Sequence, residues 1–129
     1  MKFYVASSFK NMESVQEVAR RLQDRGYRQT YDWTVNQDVT TIEQLKDIGE
    51  KEKNAVMESD FIVVIIPAGK GSHVELGIAL GLGKKVYLYS PNHEVNDLDT
   101  TSTFYHLSEV VKCCGGMDEL VSRIVSENQ

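Results

Sequence analysis

Short apolar runs alternate with segments of helical periodicity along the whole chain. Runs rich in β-branched and aromatic residues predict five strands, at residues 2–7, 27–33, 60–67, 84–90 and 109–114. Apolar positions three or four residues apart, or a run of small residues, predict a helix after each of four strands. The positions are Val15, Val18, Ala19 and Leu22; Ile42, Leu45, Ile48, Ala55 and Val56; residues 71–83; and Met117, Leu120, Val121, Ile124 and Val125.

This order of elements predicts a parallel sheet with right-handed crossovers and helices on both faces. Residues 60–67 are apolar at nearly every position, which is typical of a central parallel strand. We therefore expect a single α/β domain over residues 1–129, flavodoxin-like, with strand order 2-1-3-4-5. In such a sheet the ligand lies beyond the carboxyl ends of strands one and three. Residues 6–8 and 68–75 would line that crevice.

Composition and charge limit the kinds of molecule that the protein is expected to contact and the compartment in which it is expected to work. The net charge is -5 and the 14 Lys and Arg residues are dispersed, so we expect no nucleic-acid binding. The longest apolar run, residues 61–66, is too short to span a bilayer, and no signal-peptide layout precedes the first strand. A cytoplasmic protein without membrane contact is therefore expected. Cys113 and Cys114 are adjacent, which fits neither a disulfide framework nor a zinc spacing, so both are expected to be reduced.

The segment "PAGKGSHVELGIALG" at residues 67–81 carries the candidate chemistry. It matches neither the dinucleotide fingerprint nor the P-loop. A glycine loop that leads into a helix can still bind an anion through the backbone N–H groups of Gly69, Gly71 and Ser72. Glu75 has two interpretations: a capping box with Ser72, or a nucleophile in the first helical turn beside the crevice.

Three stretches resemble one enzyme family: "FYVASSF", "SDFIVVIIP" and above all "GSHVELGIALGLGKKVYLY". They are similar to the nucleoside 2-deoxyribosyltransferases and their nucleotide N-glycosidase relatives, over residues 3–89. The resemblance implies that Glu75, in a motif with Gly71, Ser72 and Gly77, attacks the anomeric carbon of the sugar. It also places the family's strand-one aromatic on Tyr4, or on Phe3 if the alignment slips by one, and an acid on Asp60.

These residue types suit the cleavage of an N-glycosidic bond. A carboxylate can trap or stabilise the oxocarbenium-like centre, and a second acid can assist the leaving base. Asp60 fits the second role only if its side chain comes near the crevice; otherwise it is a turn residue. Tyr4 is a core residue unless its hydroxyl reaches Glu75.

Several transferases that the chain resembles carry an Asp where this chain has Gly69, which counts against transfer between bases but leaves hydrolysis and transfer both open. The resemblance favours a nucleoside 5′-monophosphate as the substrate. Lys70, Ser7 and Ser8 stand where phosphate-binding side chains would be needed, or they belong to a solvated loop. Trp33 either stacks on a base or packs at the end of a strand.

The three histidines are far apart along the chain, so neither a metal site nor a cofactor is expected. Residues 90–103 form a polar loop that is longer than a simple connection requires. Because the family builds sites partly from a neighbouring subunit, this loop, with Asn92, Asn96 and Asp97, favours a homodimer or larger assembly; a plain surface loop is the alternative.

Two functions therefore remain open. The first is an enzyme acting on the N-glycosidic bond of a nucleoside or a nucleoside 5′-monophosphate, with Glu75 as nucleophile. The second is a non-catalytic nucleotide-binding module in which Glu75 only caps a helix. The direction of the Glu75 carboxylate separates them: toward the Ser72 backbone for the module, toward Tyr4 and the crevice for the enzyme.

Overall fold

A five-stranded parallel sheet forms the centre of the molecule. The computed structural model describes residues 1–36 and 38–129. The strand order is β2-β1-β3-β4-β5, as predicted. The strands are β1 (Lys2–Ala6), β2 (Arg28–Gln29), β3 (Phe61–Ile65), β4 (Lys85–Ser90) and β5 (Val110–Cys114).

Four helices surround the sheet. They are α1 (Met12–Asp24), α2 (Ile42–Glu58), α3 (Lys70–Gly81) and α4 (Met117–Glu127). Helix α1 contacts α4, and α2 contacts α3, which gives one helix pair for each face of the sheet. In the part of the chain that the structure describes, no helix is both long and apolar enough to cross a membrane.

The core is centred on β3, in which all five residues are buried. The Phe61 ring stacks on Phe3 with centroids 6.1 Å apart and meets Tyr87 edge-on at 5.6 Å. Each fully buried aliphatic or aromatic side chain contributes about 1.5–3 kcal/mol through the hydrophobic effect. This explains why the run at residues 60–67 is apolar on both faces.

The second strand is shorter than the sequence predicted. It pairs with β1 only through Arg28 and Gln29, at the edge of the sheet. The predicted strand residue Trp33 instead begins a 3-10 helix, Trp33–Val35, whose first turn Asp32 caps by accepting a hydrogen bond from Thr34 N. Hydrogen bonds from a side chain to the nearby backbone compete with strand pairing. An edge strand pairs on one side only, so it gains few hydrogen bonds from the sheet.

The carboxyl ends of β1 and β3 lie side by side and are joined by side chains. Asn11 Nδ2 donates to Ser7 Oγ at 2.9 Å and to the Pro67 carbonyl at 2.8 Å. The Ser7 hydroxyl in turn donates to the Ile65 carbonyl at 2.8 Å. These bonds tie the two strand ends together at the switch point of the sheet, where a ligand is expected.

Candidate active site

Three side chains from three elements meet at one point. Tyr4 belongs to β1, Glu52 to α2 and Glu75 to α3. The Tyr4 hydroxyl donates to Glu75 Oε2 at 2.6 Å and lies 3.5 Å from Glu52 Oε2. The two carboxyl groups are therefore within about 6 Å of each other, around a shared donor.

Helix phase explains why Glu75 points inward. The buried residues of α3 are Ser72, Glu75, Leu76 and Ala79, which recur at intervals of three and four. Glu75 thus occupies the stripe that packs on the sheet, and its side chain is only 7% exposed. Tyr4, fully buried on β1, supplies the hydroxyl that its carboxylate needs there.

Glu52 is the residue that the sequence analysis missed. It lies three and four positions before Ala55 and Val56, the two buried residues of α2, so helical spacing places it on their face. A charged residue on an otherwise apolar stripe is the signal that could have found it. The alternating charges around it made the whole segment look like a solvated helix surface.

The environment shifts the pKa values of all three groups. Burial, together with the neighbouring Glu52 charge, raises the pKa of Glu75 to about 8, although its bond from Tyr4 acts in the opposite direction. Burial also raises the pKa of Glu52. The pKa of Tyr4 is raised by burial and by the adjacent Glu75, so its hydroxyl remains a donor. The two carboxyl groups therefore titrate as a coupled pair.

A cavity of about 390 Å³ opens beside these carboxyl groups. It lies at the carboxyl ends of β1 and β3, where the sequence analysis predicted a crevice. Its walls come from the end of β1, the segment after β2, the face of α2 and the first turn of α3: Ser7, Ser8, Phe9, Trp33, Asn36, Glu52, Gly69, Lys70, Gly71, Ser72 and Glu75.

The hydroxyl groups around this cavity differ in their availability. Ser7 gives its proton to the Ile65 carbonyl, and Ser72 Oγ accepts from Gly69 N at 2.8 Å and donates to Gly69 O at 3.2 Å. Ser8 makes only a long bond, 3.4 Å, to the Pro67 carbonyl. Lys70 is exposed at the cavity wall. Ser8 and Lys70 are therefore the side chains best able to donate to a bound anion.

Trp33 is held as part of the wall. Its indole N–H donates to the Val5 carbonyl at 2.7 Å, and the residue is buried. Phe9 meets the Trp33 ring edge-on, with centroids 5.3 Å apart, and is 66% exposed. Both residues line the cavity, so they present aromatic surface to whatever fills it.

The predicted capping box between Ser72 and Glu75 is wrong. Helix α3 begins at Lys70, one residue before the predicted start, and Gly69 is its N-cap. Ser72 therefore sits at the third helical position and accepts the Gly69 N–H itself. Glu75 is one turn too far along to reach the cap, and its carboxylate faces Tyr4, the direction expected for the enzyme.

Two other predicted residues lie away from this cavity. Asp60 precedes β3, at the amino-terminal edge of the sheet, where its carboxylate accepts a hydrogen bond from Lys2 N at 2.8 Å. The length of β3, about 3.3 Å per residue, separates it from the crevice, so it cannot assist a leaving group there. Asn96 is exposed in the 3-10 helix Glu94–Asn96 and does not line the cavity within one chain.

Phe3 packs on Phe61, so the structure brings Tyr4 rather than Phe3 to Glu75.

Two other cavities of similar size are lined by different groups. One of about 440 Å³ lies between α1 and α4 and is lined by the ion pair of Arg21 and Asp118. Another of about 440 Å³ is mainly apolar and lies between α3 and the 3-10 helix Thr103–His106. Within residues 1–36 and 38–129, no group of three or more His, Cys, Asp or Glu side chains is arranged to hold a metal ion.

The comparison with protein families agrees with this geometry. Residues 3–117 match the sequence model of the family described as nucleoside 2-deoxyribosyltransferase. The chain belongs to this family. Its members are enzymes that act on the N-glycosidic bond, so the resemblance inferred from the sequence is confirmed.

The fold is similar to that of a solved protein structure. The CMP N-glycosidase BcmB of Clostridium botulinum superposes with a TM-score of 0.66 and 17% sequence identity, covering 98% of this chain and 99% of that chain. This likeness confirms the α/β flavodoxin-like fold. None of the curated proteins compared with the chain matches it.

Proposed function

We propose that the protein hydrolyses the N-glycosidic bond of a nucleoside 5′-monophosphate, with Glu75 as the nucleophile. The observation that carries this proposal is the Glu75 carboxyl group, buried at the cavity, oriented by Tyr4 and adjacent to a second acid, Glu52. The family supports the bond class. Glu52 takes the role that the sequence analysis gave to Asp60.

The reaction proceeds in two steps. A Glu75 oxygen attacks the anomeric carbon while the bond from that carbon to the base nitrogen breaks, and the electron pair leaves with the base. The base takes up the proton that Glu52 holds. Water then attacks the anomeric carbon of the glycosyl-enzyme, returns a proton to the acid pair and releases the sugar phosphate and Glu75.

The shared proton suits this division of roles. When Glu75 ionises to act as nucleophile, the neighbouring Glu52 can hold the proton that the leaving base requires, because burial raises the pKa of both acids. Tyr4 donates to Glu75 throughout and fixes the attacking oxygen. Two acids with one proton are therefore ready for nucleophilic attack and for leaving-group protonation at once.

The substrate's phosphate binds at the first turn of α3. The backbone N–H groups of a first turn have no acceptor within the helix, and the helix dipole favours an anion there. Lys70 and Ser8 lie at the same wall and can donate to phosphate oxygens. The name of the structural neighbour, a CMP N-glycosidase, supports a monophosphate substrate. Phe9 and Trp33 offer a surface for the base.

We further propose that the enzyme is a homodimer. Four apolar side chains in and before the first turns of α2 are exposed: Val35, Val39, Ile42 and Leu45, which we call the α2 patch. Asn36 lines both the candidate cavity and a shallow cavity that includes Val35 and Val39, so the patch borders the site. We propose that a second copy seated there contributes its own loop at residues 90–103, with Asn96, to the substrate pocket.

The test is release of free base from a panel of nucleosides and 5′-monophosphates, CMP included, by wild type and Glu75→Gln. Gln keeps the shape of Glu and can accept from Tyr4, but it cannot attack as a carboxylate. We expect the variant to fold and bind ligand yet lose base release by several orders of magnitude.

Ser72→Ala is the matched control on the same helix. It removes the bond to Gly69 N and costs about 1 kcal/mol of stability, while much of the chemistry remains. Equal turnover by wild type and Glu75→Gln, on a substrate that the wild type demonstrably cleaves, would refute the nucleophile assignment.

A further inference from the structure

His73 connects two segments that the proposed chemistry does not otherwise link. Its Nδ1 lies 2.7 Å from the Gly69 carbonyl oxygen, and its Nε2 lies 2.7 Å from the Tyr105 hydroxyl. Gly69 is the N-cap of α3 and lines the candidate cavity. Tyr105 is buried in the 3-10 helix Thr103–His106, which follows the long loop after β4. The imidazole therefore bridges a cavity wall and the body of the protein.

Hydrogen-bond roles along this bridge follow from the chemistry of its ends. A carbonyl oxygen can only accept, so Nδ1 of the ring carries the proton. In the neutral ring Nε2 is then an acceptor, and the Tyr105 hydroxyl donates to it. Burial and the nearby Glu94 raise the pKa of Tyr105, so that hydroxyl keeps its proton. With a neutral ring, this arrangement satisfies both ends of the bridge.

The turn before α3 is held by side chains on both sides, and the His73 ring links it to the 3-10 helix Thr103–His106. Pro67 is exposed, and its carbonyl is held from the strand side by Asn11. Gly69 is held from the helix side: its N–H donates to Ser72 Oγ, and its carbonyl accepts from Ser72 Oγ, from the His73 ring and from the His73 backbone N–H. A small rotation of the Gly69–Lys70 peptide, which carries this carbonyl, would re-aim the first turn of α3, which faces the cavity, relative to Glu75.

We propose that His73, braced by Tyr105, is a positioning residue that holds the first turn of α3 in the orientation that binds the substrate. This proposal rests on the proposed function, since it takes a nucleoside 5′-monophosphate as the ligand of that wall. His73 does not touch the reacting atoms. It acts through the Gly69 peptide, and its loss weakens binding more than it slows chemistry.

The experiment compares three substitutions by calorimetry and kinetics with CMP and with cytidine. His73→Leu keeps bulk and removes both bonds; we expect Kd and KM for CMP to rise about ten-fold or more, with kcat within about three-fold of wild type. His73→Asn can still donate from its amide to Gly69 and should recover most of the affinity. Tyr105→Phe, which removes only the brace, should raise Kd by a smaller factor. Affinity for cytidine should change little in all three variants.

His106→Leu is the control, because His106 is an exposed histidine of the same 3-10 helix that bonds Thr101 instead. It should leave Kd unchanged. In 15N-labelled wild type, the His73 ring should be protonated at Nδ1 and not at Nε2.

Three results would overturn the positioning role: an unchanged Kd for CMP in His73→Leu, a loss of kcat at constant KM, or a wild type that does not bind CMP. A wild type that binds CMP without releasing base would refute the proposed reaction alone, because the Kd comparison still tests His73.

Discussion

Glu52 and Glu75 compete for a proton inside a largely buried site, and this competition sets the pH behaviour of the protein. The folded-state pKa of Glu75, about 8, lies above its ordinary value of 4.5. Between these two pH values the folded protein binds more protons at Glu75 than the unfolded chain does. Stability from this group is therefore present at low pH and is lost as the pH rises toward 8.

Glu75→Gln should consequently stabilise the protein at alkaline pH. Gln carries no charge that burial would penalise and can still accept the Tyr4 hydroxyl proton. Each pKa unit corresponds to about 1.4 kcal/mol, so the gain over wild type should reach the order of a few kcal/mol at pH 8.5 and shrink toward pH 5. Urea unfolding at both pH values measures it, with the exposed Glu58→Gln as control. A gain that does not change with pH would contradict the shifted pKa.

Glu52→Gln and Asp60→Asn together test which acid serves the leaving base. In wild type, kcat/KM should fall as the pH rises through about 8, because the acid pair then loses the one proton that the leaving base requires. Glu52→Gln removes the charge that raises the pKa of Glu75, so Glu75 ionises at lower pH and this falling limb should disappear. It also removes the acid, so kcat should fall by about 10²–10⁴.

Asp60→Asn should leave both the pH profile and kcat close to wild type, since its carboxylate binds Lys2 N at the opposite edge of the sheet. A large loss of kcat in Asp60→Asn, with Glu52→Gln unaffected, would reverse the assignment of the second acid.

At the scale of single residues, the sequence predicted the centre of the site but not its second acid. Glu75 and Tyr4 lie in a recognisable motif and on a strand whose position is set by its apolar run. Glu52 lies on a helix whose register relative to the sheet depends on tertiary packing. Only that packing shows that its side chain, rather than that of Asp60, approaches Tyr4.

At the scale of elements, the predicted ends of strands and helices were wrong where local hydrogen bonds outweigh the apolar pattern. The predicted second strand ended early because Asp32 caps a 3-10 turn at Trp33. Helix α3 began one residue early because Gly69 takes the cap and Ser72 closes it. A one-residue shift in a helix start rotates every side chain by about 100° relative to the cap. That shift removes the capping interpretation of Glu75 and leaves the other one, a residue of the candidate site.

Helix α2 shows the same principle along its length. Ala55 and Val56 pack on the protein, and Glu52 on the same stripe reaches Tyr4. Leu45 lies seven positions before Glu52 and so continues this stripe, yet it is 54% exposed. The apolar stripe of α2 thus runs past the body of a single chain. A stripe that residues 1–36 and 38–129 leave exposed favours cover from outside the chain.

At the scale of the whole molecule, the strand order and the position of the crevice followed from the alternation of elements, because parallel crossovers leave few topologies open. The oligomeric state could not be predicted from the alternation of elements. Whether a long polar loop serves a second subunit depends on surfaces that are formed only when the helices pack. The α2 patch is such a surface, and it carries the last prediction.

We expect the protein in solution to have twice the chain mass of 14.6 kDa, with the α2 patch at the interface. A stable dimer buries about 800 Å² on each partner, and each apolar side chain removed from water contributes about 1.5–3 kcal/mol. Leu45→Glu would bury a charge in that interface, so it should yield monomers at micromolar concentration in light scattering. Lys46→Glu, an exposed neighbour on α2, should remain dimeric.

Activity distinguishes a shared site from mere association. If the partner's loop at residues 90–103 completes the substrate pocket, monomeric Leu45→Glu should release base far more slowly per chain than wild type, and the rate should recover as concentration drives association. Asn96→Ala should lower activity while leaving the mass unchanged. A wild type that is monomeric at micromolar concentration and fully active would refute both the interface and the shared pocket, and the cavity around Glu75 would then suffice within one chain.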